Sequence, residues 1–151
     1  MQRDWRKIIA SDDREFNFGE IFKIKDELIN FPESLFAKRT YHESRLVVIT
    51  QHCRSNSNPN IWTVNIAPLS TKIEYKRDTD LEIEPKEGNY IEKKSLIRLG
   101  LSQPVLKVDL EGPVGRLTRD QLLALAALQI KLSGVEYKSF HPGSVTVVDK
   151  Q

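Results

Sequence analysis

The stretch Ser44-Arg-Leu-Val-Val-Ile-Thr-Gln51 decides the fold of this 151-residue chain. Its centre, Leu46–Ile49, is continuously apolar, which is typical of a β-strand covered on both faces. A second strand is predicted over Ile61–Ile66 and is expected to stop at Pro68. The polar loop between the two strands, Arg54–Asn60, is short enough for an antiparallel pair. The sequence therefore predicts a central antiparallel hairpin.

Groups that can bind an anion lie at the same end of this predicted hairpin. Arg45 opens the first strand, and the residues 70–72, Ser-Thr-Lys, follow the second. We expect Arg45 and Ser70 to face each other across any active site. The structural alternatives are that Arg45 forms an ion pair with Glu43 or Glu20, and that Ser70 is an ordinary turn hydroxyl.

The segment before the first strand, Asp26–Ser44, has no strong periodicity and is long for a connection in a small domain. Basic and aromatic side chains alternate along it, a composition that suits single-stranded nucleic acid, because cations meet phosphates and rings stack on bases. The alternative is a solvated loop whose aromatic side chains pack into the core. The residues concerned are Phe36, Lys38, Arg39, Tyr41 and His42.

The remaining pattern predicts short strands and one secure helix. Thr118-Arg-Asp-Gln121 fits a capping box, and Gly134 supplies a helix stop. With a marginal helix in the first 17 residues, five to seven strands make a small, mostly antiparallel barrel. Further strands are expected at 18–25, 80–83, 95–99 and 114–117, a bend at 101–105, and an edge strand or dimer contact at 145–148.

The composition sets limits on function. The chain has 23 basic and 21 acidic residues, so any basic site must be a local patch. One cysteine excludes an internal disulfide and suits a reducing compartment. No signal-peptide or membrane-spanning stretch is recognisable, so we expect a cytoplasmic protein. We divide the chain into an N-terminal extension (1–17), a barrel domain (18–134) and a C-terminal tail (135–151).

Several catalytic signatures are missing from the sequence. It contains no glycine-rich phosphate loop, no dinucleotide fingerprint, no His-Glu-x-x-His helix and no Gly-x-Ser-x-Gly elbow. Cys53 follows His52 directly, so their side chains point apart and we do not expect a thiol nucleophile. We expect neither a metal ion nor an organic cofactor.

Four motifs in a fixed order resemble the PemK/MazF family of RNA-cleaving toxins from type II toxin–antitoxin systems. The resemblance covers about residues 18–134. It implies an SH3-like barrel, a homodimer, metal-independent cleavage of single-stranded RNA, and an antitoxin partner whose disordered segment fills the RNA groove. The motifs are Phe18-Gly-Glu-Ile-Phe, Arg45-Leu-Val-Val-Ile, Ala67-Pro-Leu-Ser-Thr-Lys and Val114-Gly-Arg-Leu-Thr-x-x-Gln-Leu.

The resemblance also implies site residues. The family's two recurrent catalytic positions fall on Arg45 and Ser70, and we add His42 as a hypothetical general base, because imidazole accepts a proton near neutral pH. Two departures from the family pattern are Leu46, in place of a usual proline, and a later strand in which only Gln103 remains as a polar donor. The expected RNA contacts are Lys38, Arg39, Tyr41, Thr71, Lys72 and Gln103.

Two alternatives to an RNA-cleaving toxin remain open, and the departures from the family pattern bear on the first. The first is a catalytically eroded member of the family that binds RNA or a protein partner without cleaving. The second is a DNA-directed or gyrase-binding inhibitor built on a related barrel. If the chain cleaves, Arg45 would stabilise the phosphate, and Ser70 would hydrogen-bond the phosphate or the leaving oxygen.

Overall fold

The structure, a computed structural model, describes residues 4–10, 12–52, 54–141 and 144–147. Cys53 and Val148, which entered the interpretation of the sequence, lie outside the described residues. The helices and strands, in chain order, are α1 Trp5–Ala10, β1 Glu20–Lys25, β2 Ser44–Ile49, β3 Thr63–Ser70, β4 Asp80–Ile83, β5 Ser95–Arg98, β6 Gln103–Leu106, β7 Glu111–Arg116, α2 Arg119–Ser133, β8 Val135–His141 and β9 Ser144–Val147.

The predicted fold class, mainly antiparallel β-structure with a C-terminal helix, is confirmed. Seven strands form one sheet in the order β4-β5-β3-β2-β1-β7, and β6 pairs with β3 outside this path. Every pairing in the sheet is antiparallel. β8 and β9 form a separate two-stranded ribbon after α2. The predicted hairpin of β2 and β3 lies in the middle of the sheet.

The centre of β2 is buried on both faces. Val47, Val48 and Ile49 have no exposed surface, although alternate residues point to opposite sides of the sheet. Val47 and Ile49 belong to one hydrophobic cluster with Phe22, whereas Val48 belongs to a second cluster with Ile21. Two cores therefore cover the two faces, which explains why this strand has no polar alternation.

Two predictions made from prolines were wrong. β3 does not stop at Pro68 but continues to Ser70, because Pro68 lies between the residues that pair with β6, Thr63–Ile66, and those that pair with β5. Proline has no backbone N–H, but no hydrogen bond of the sheet is lost at the point where β3 changes its partner from β6 to β5. The expected bend at 101–105 contains β6, in which Pro104 is tolerated because β6 pairs with β3 alone.

The helix α2 forms as predicted from its caps. Thr118 and Gln121 make both hydrogen bonds of the capping box, and Gly134 adopts a left-handed conformation with φ of 78°. The helix packs so closely on the turn before β1 that a Cβ atom at Gly19 would lie 2.0 Å from Leu122 Cδ2. Neither described helix combines the length and apolarity needed to cross a bilayer.

Candidate nucleic-acid interface

Residues from two stretches of the chain, 31–45 and 70–77, together with Arg98 of β5, line one open cavity of about 760 Å³. The loop between β1 and β2 forms one wall, and the chain that follows β3 forms the other. Of the nine site residues predicted from the sequence, seven line this cavity and two, Tyr41 and Gln103, do not. The seven are Lys38, Arg39, His42, Arg45, Ser70, Thr71 and Lys72.

Arg45 is held in place by two hydrogen bonds at the edge of this cavity. Its Nε donates to Asp26 Oδ1 at 2.6 Å, and its Nη1 donates to the backbone oxygen of Leu69 at 2.8 Å. The alternatives of an ion pair with Glu43 or Glu20 are wrong, because Asp26 is the partner. The guanidinium also lies over the ring of Phe31, with Cζ 4.9 Å from its centroid. Among the described residues Nη2 donates no hydrogen bond, so it can still donate one to a ligand.

Asp26 connects the loop between β1 and β2 to the first residues of β2. Its side chain has no exposed surface and accepts hydrogen bonds from Arg45 Nε, from Arg39 Nη2 at 2.6 Å and from the backbone N–H of His42 at 2.9 Å. Burial opposes ionisation, but the hydrogen bonds and the positive charge of the arginines outweigh it, so the pKa of Asp26 lies below its ordinary value. This ionised carboxylate was not identified from the sequence.

Ser70 lies at the end of β3, beside Arg45. The pairing of Val47 with Pro68, extended by two residues, brings Arg45 level with Ser70 across the two strands. Ser70 is half-buried, and its Oγ accepts the backbone N–H of Lys72 at 3.2 Å. The hydroxyl can still donate its own proton. The two residues expected to face each other therefore contribute to the same cavity.

Aromatic rings stack on the guanidinium of Arg39. The rings of Phe31 and Tyr41 both lie with their centroids 4.3 Å from Arg39 Cζ. Tyr41 and Phe36 are 57% and 93% exposed, so the alternative in which both pack into the core is wrong. Tyr41 contacts the cavity wall through Arg39.

Gln103 supports the loop from the other side. Its side-chain amide exchanges two hydrogen bonds with the backbone of Asn30, at 2.8 and 3.0 Å, and donates a third to the oxygen of Leu101. These contacts join β6 to the loop between β1 and β2. Both the oxygen and the nitrogen of the Gln103 side-chain amide are therefore hydrogen-bonded within the protein.

The cavity also contains side chains that were not singled out from the sequence. Glu33 contributes the one carboxylate among its lining residues, and its Oε1 lies 3.1 Å from Arg77 Nη1. The seven lysines and arginines that line it are Lys38, Arg39, Arg45, Lys72, Lys76, Arg77 and Arg98. The cavity is therefore strongly basic, although the chain as a whole is nearly neutral.

Comparison with known proteins assigns the family. The sequence model of the PemK-like, MazF-like toxins of type II toxin–antitoxin systems matches residues 28–132, which include both walls of the cavity. The chain belongs to this family. The match contains β2 to β7 and nearly all of α2 of the PemK/MazF-like fold, so the resemblance drawn from four sequence motifs is confirmed.

Solved structures of toxins are similar to this PemK/MazF-like chain. The Mycobacterium tuberculosis toxin MazF-mt6 has 22% sequence identity and a TM-score of 0.49, over 59% of this chain and 85% of that one. A second structure, described as an Mtb toxin, has 25% identity and a TM-score of 0.45, over 56% and 87% of the two chains. A search of curated proteins found no match.

Proposed function

We propose that this chain is a metal-independent endoribonuclease that cleaves single-stranded RNA in the basic cavity, as the toxin of a type II toxin–antitoxin pair. One observation carries the proposal. Arg45 is fixed by Asp26 and by the Leu69 backbone, yet its Nη2 donates no hydrogen bond within the described residues, and its side chain lines a cavity with Ser70 and six further lysines and arginines. Family membership supports the same reaction class.

The proposed reaction uses the RNA's own 2′-hydroxyl as nucleophile. Its oxygen forms a bond to the adjacent phosphorus while the bond from phosphorus to the 5′-oxygen breaks, which leaves a 2′,3′-cyclic phosphate and a 5′-hydroxyl. One proton leaves the 2′-oxygen, and one is delivered to the 5′-oxygen. The protein's tasks are to stabilise negative charge on the phosphate and to transfer these two protons.

Three side chains of the cavity suit these tasks. Arg45 Nη2 donates a charge-assisted hydrogen bond to a phosphate oxygen, since a guanidinium stays protonated and matches the geometry of phosphate. The Ser70 hydroxyl donates to a second oxygen, either on the phosphate or on the leaving group. His42, whose side chain is exposed and lines the cavity, is the general base. Proton donation by Arg45 is its second role.

The partners follow from the charge and shape of the cavity. A groove with seven lysines and arginines and one carboxylate fits the phosphates of single-stranded RNA. The same groove fits an acidic, disordered antitoxin segment, which would block RNA by occupying it. We also propose that the protein forms a symmetric homodimer and acts in the cytoplasm, where mRNA is found.

The experiment that tests this function is cleavage of a long single-stranded RNA in the presence of a chelator. We expect discrete cuts with 5′-hydroxyl ends, and a rate at least about 100-fold lower for Arg45→Ala, because removal of one transition-state donor typically costs that much. Arg45→Lys keeps the charge beside Asp26 but loses the fork, so it should also be slow. Arg116→Ala, at an exposed position of β7, is the matched control.

Failure to cleave several RNAs by a folded protein would contradict the proposal. Binding without cleavage would instead favour the eroded member of the family, a module that holds RNA or a partner. Equal cleavage by the parent and by Arg45→Ala would assign the reaction to another site or to a contaminant.

A further inference from the structure

A second arginine of the cavity also lies against a buried aspartate. Arg98, at the end of β5, has its Nε 3.4 Å from Asp80 Oδ1. The other oxygen of Asp80 accepts the backbone N–H of Arg77 at 2.9 Å, and the Asp80 side chain is only 1% exposed. Asp26 likewise contacts Arg45 Nε through one oxygen and a backbone N–H through the other.

The guanidinium of Arg98 has more unused donors than that of Arg45. Its contact with Asp80 is an ion pair without hydrogen-bond geometry, and its buried Nε has no hydrogen-bond partner. Among the described residues, no hydrogen bond is donated by its Nη1 or Nη2 either. A side chain that is 17% exposed and lines a cavity with unpaired donors is prepared to receive an anion.

The strands place the two arginines on opposite sides of β3. β2, which carries Arg45, pairs with one edge of β3, and β5, which carries Arg98, pairs with the other edge. Adjacent strands lie about 4.8 Å apart, so the two arginine-bearing strands are separated by roughly 10 Å. Two arginine side chains that start this far apart and line one cavity can contact different phosphates of one RNA chain.

We propose that Arg98, positioned by Asp80, binds a second phosphate of the RNA strand whose scissile phosphate lies at Arg45. This inference rests on the proposed function and specifies its substrate: the cavity recognises a segment with at least two phosphates. Arg98 stabilises no bond change in this assignment. It sets the register of the strand, so that the scissile phosphate reaches Arg45 and Ser70.

The environment of Arg98 is consistent with this role. Glu33, the one carboxylate that lines the cavity within the described part of the chain, is hydrogen-bonded to Arg77. Asp80 faces Arg98 from β4 and is shared with the backbone of Arg77. Arg98 therefore forms an ion pair with Asp80 but donates no hydrogen bond within the described residues, so its donors remain available for an anion.

The test is equilibrium binding of RNA whose 2′-hydroxyls are methylated, so that the nucleophile is blocked. Two probes are compared: an eight-nucleotide strand and a dinucleoside monophosphate, which has one phosphate. We expect Arg98→Gln to weaken binding of the longer strand roughly tenfold or more, and to leave binding of the dinucleoside unchanged. The slope of log affinity against log salt should fall by about 0.7 in magnitude for the longer strand, because one phosphate contact is lost.

Two further variants make the result specific. Arg116→Gln, which removes the same charge outside the cavity, should change neither affinity nor slope. Arg98→Lys keeps the charge, so it should weaken the affinity for the longer strand but keep most of the slope of log affinity against log salt. This variant also tests the inference if Arg98→Gln folds poorly.

Three outcomes would overturn the inference. Equal affinity and slope for Arg98→Gln and the parent would show that Arg98 serves only as a partner of Asp80. Equal weakening of both probes would indicate a general structural effect. If the parent protein bound neither probe, the proposed function itself would be contradicted, and the inference with it.

Discussion

The guanidinium of Arg45 is joined to the buried carboxylate of Asp26 by a 2.6 Å hydrogen bond from Nε to Oδ1. This contact fixes an arginine of β2 against the loop that walls the cavity, 19 residues earlier in the chain. The same carboxylate accepts Arg39 and the backbone of His42. The positions of two of the cavity's arginines, Arg39 and Arg45, therefore depend on one buried carboxylate.

We predict that Asp26→Asn destabilises the protein by about 3 kcal/mol, because loss of one partner leaves buried arginine donors without their charge. Unfolding in urea at neutral pH measures the difference. Asp109→Asn is the matched control, since burial raises the pKa of Asp109 above its ordinary value, with only a smaller opposing effect from Lys25. Neutral asparagine should leave stability there unchanged or higher. Similar losses for both variants would contradict this role of Asp26.

The pH dependence of these two variants should have opposite signs. The pKa of Asp26 is lower in the folded protein, so its contribution is present above the unfolded pKa, near 3.8, and is lost as pH falls through the folded value. The penalty of Asp26→Asn should therefore shrink in acid. The pKa of Asp109 is higher in the folded protein, so any gain from Asp109→Asn should develop as pH rises above the unfolded pKa, near 3.8, and should be complete above the folded value. Urea unfolding from acid to neutral pH measures both curves, and a penalty for Asp26→Asn that stays constant in acid would count against the lowered pKa.

Local patterns were sufficient to predict the framework of the fold. The apolar run of β2 indicated burial on both faces, and the capping box placed the start of α2 at Thr118, since both signals are contained in a few consecutive residues. The strand β6 was missed because it is four residues long and contains Pro104. Its existence depends on pairing with β3, which no local pattern reveals.

The candidate site could be predicted only in part for a related reason. Arg45 and Ser70 follow from motifs at strand ends, and the basic loop is visible in the composition. The importance of Asp26 and Asp80 arises from contacts with arginines 13 to 19 residues away in the chain. Arg98 was not singled out from the sequence, and only the pairing of β5 with β3 brings it into the cavity.

We predict that Gly19→Ala destabilises the protein more than Gly88→Ala. Both glycines have positive φ, 83° and 85°, so alanine is strained at each by about 1–2 kcal/mol. At Gly19 the added carbon would also meet Leu122 of α2, at about 1–3 kcal/mol more, whereas nothing lies within 4 Å at Gly88. Thermal or urea unfolding of the two variants gives the difference.

A double variant separates the two contributions at Gly19. Gly19→Ala combined with Leu122→Ala should cost less than the sum of the single changes, because the steric contact is removed. Additive losses, or equal losses at Gly19 and Gly88, would show that α2 does not pack on this turn as closely as described.

We predict that Glu33→Gln strengthens RNA binding with little effect on stability. The pKa of Glu33 is lowered, first by a hydrogen bond from its own backbone N–H and then by Arg77, so the carboxylate is ionised at neutral pH and opposes phosphate in the cavity. Both members of the ion pair are more than half exposed, so its loss should change stability by less than about 1 kcal/mol. Glu27→Gln, an exposed change of equal charge outside the cavity, is the control. Fluorescence anisotropy with 2′-methylated RNA should give a tighter complex for Glu33→Gln than for Glu27→Gln, and equal affinities would mean that RNA does not approach the Glu33–Arg77 pair.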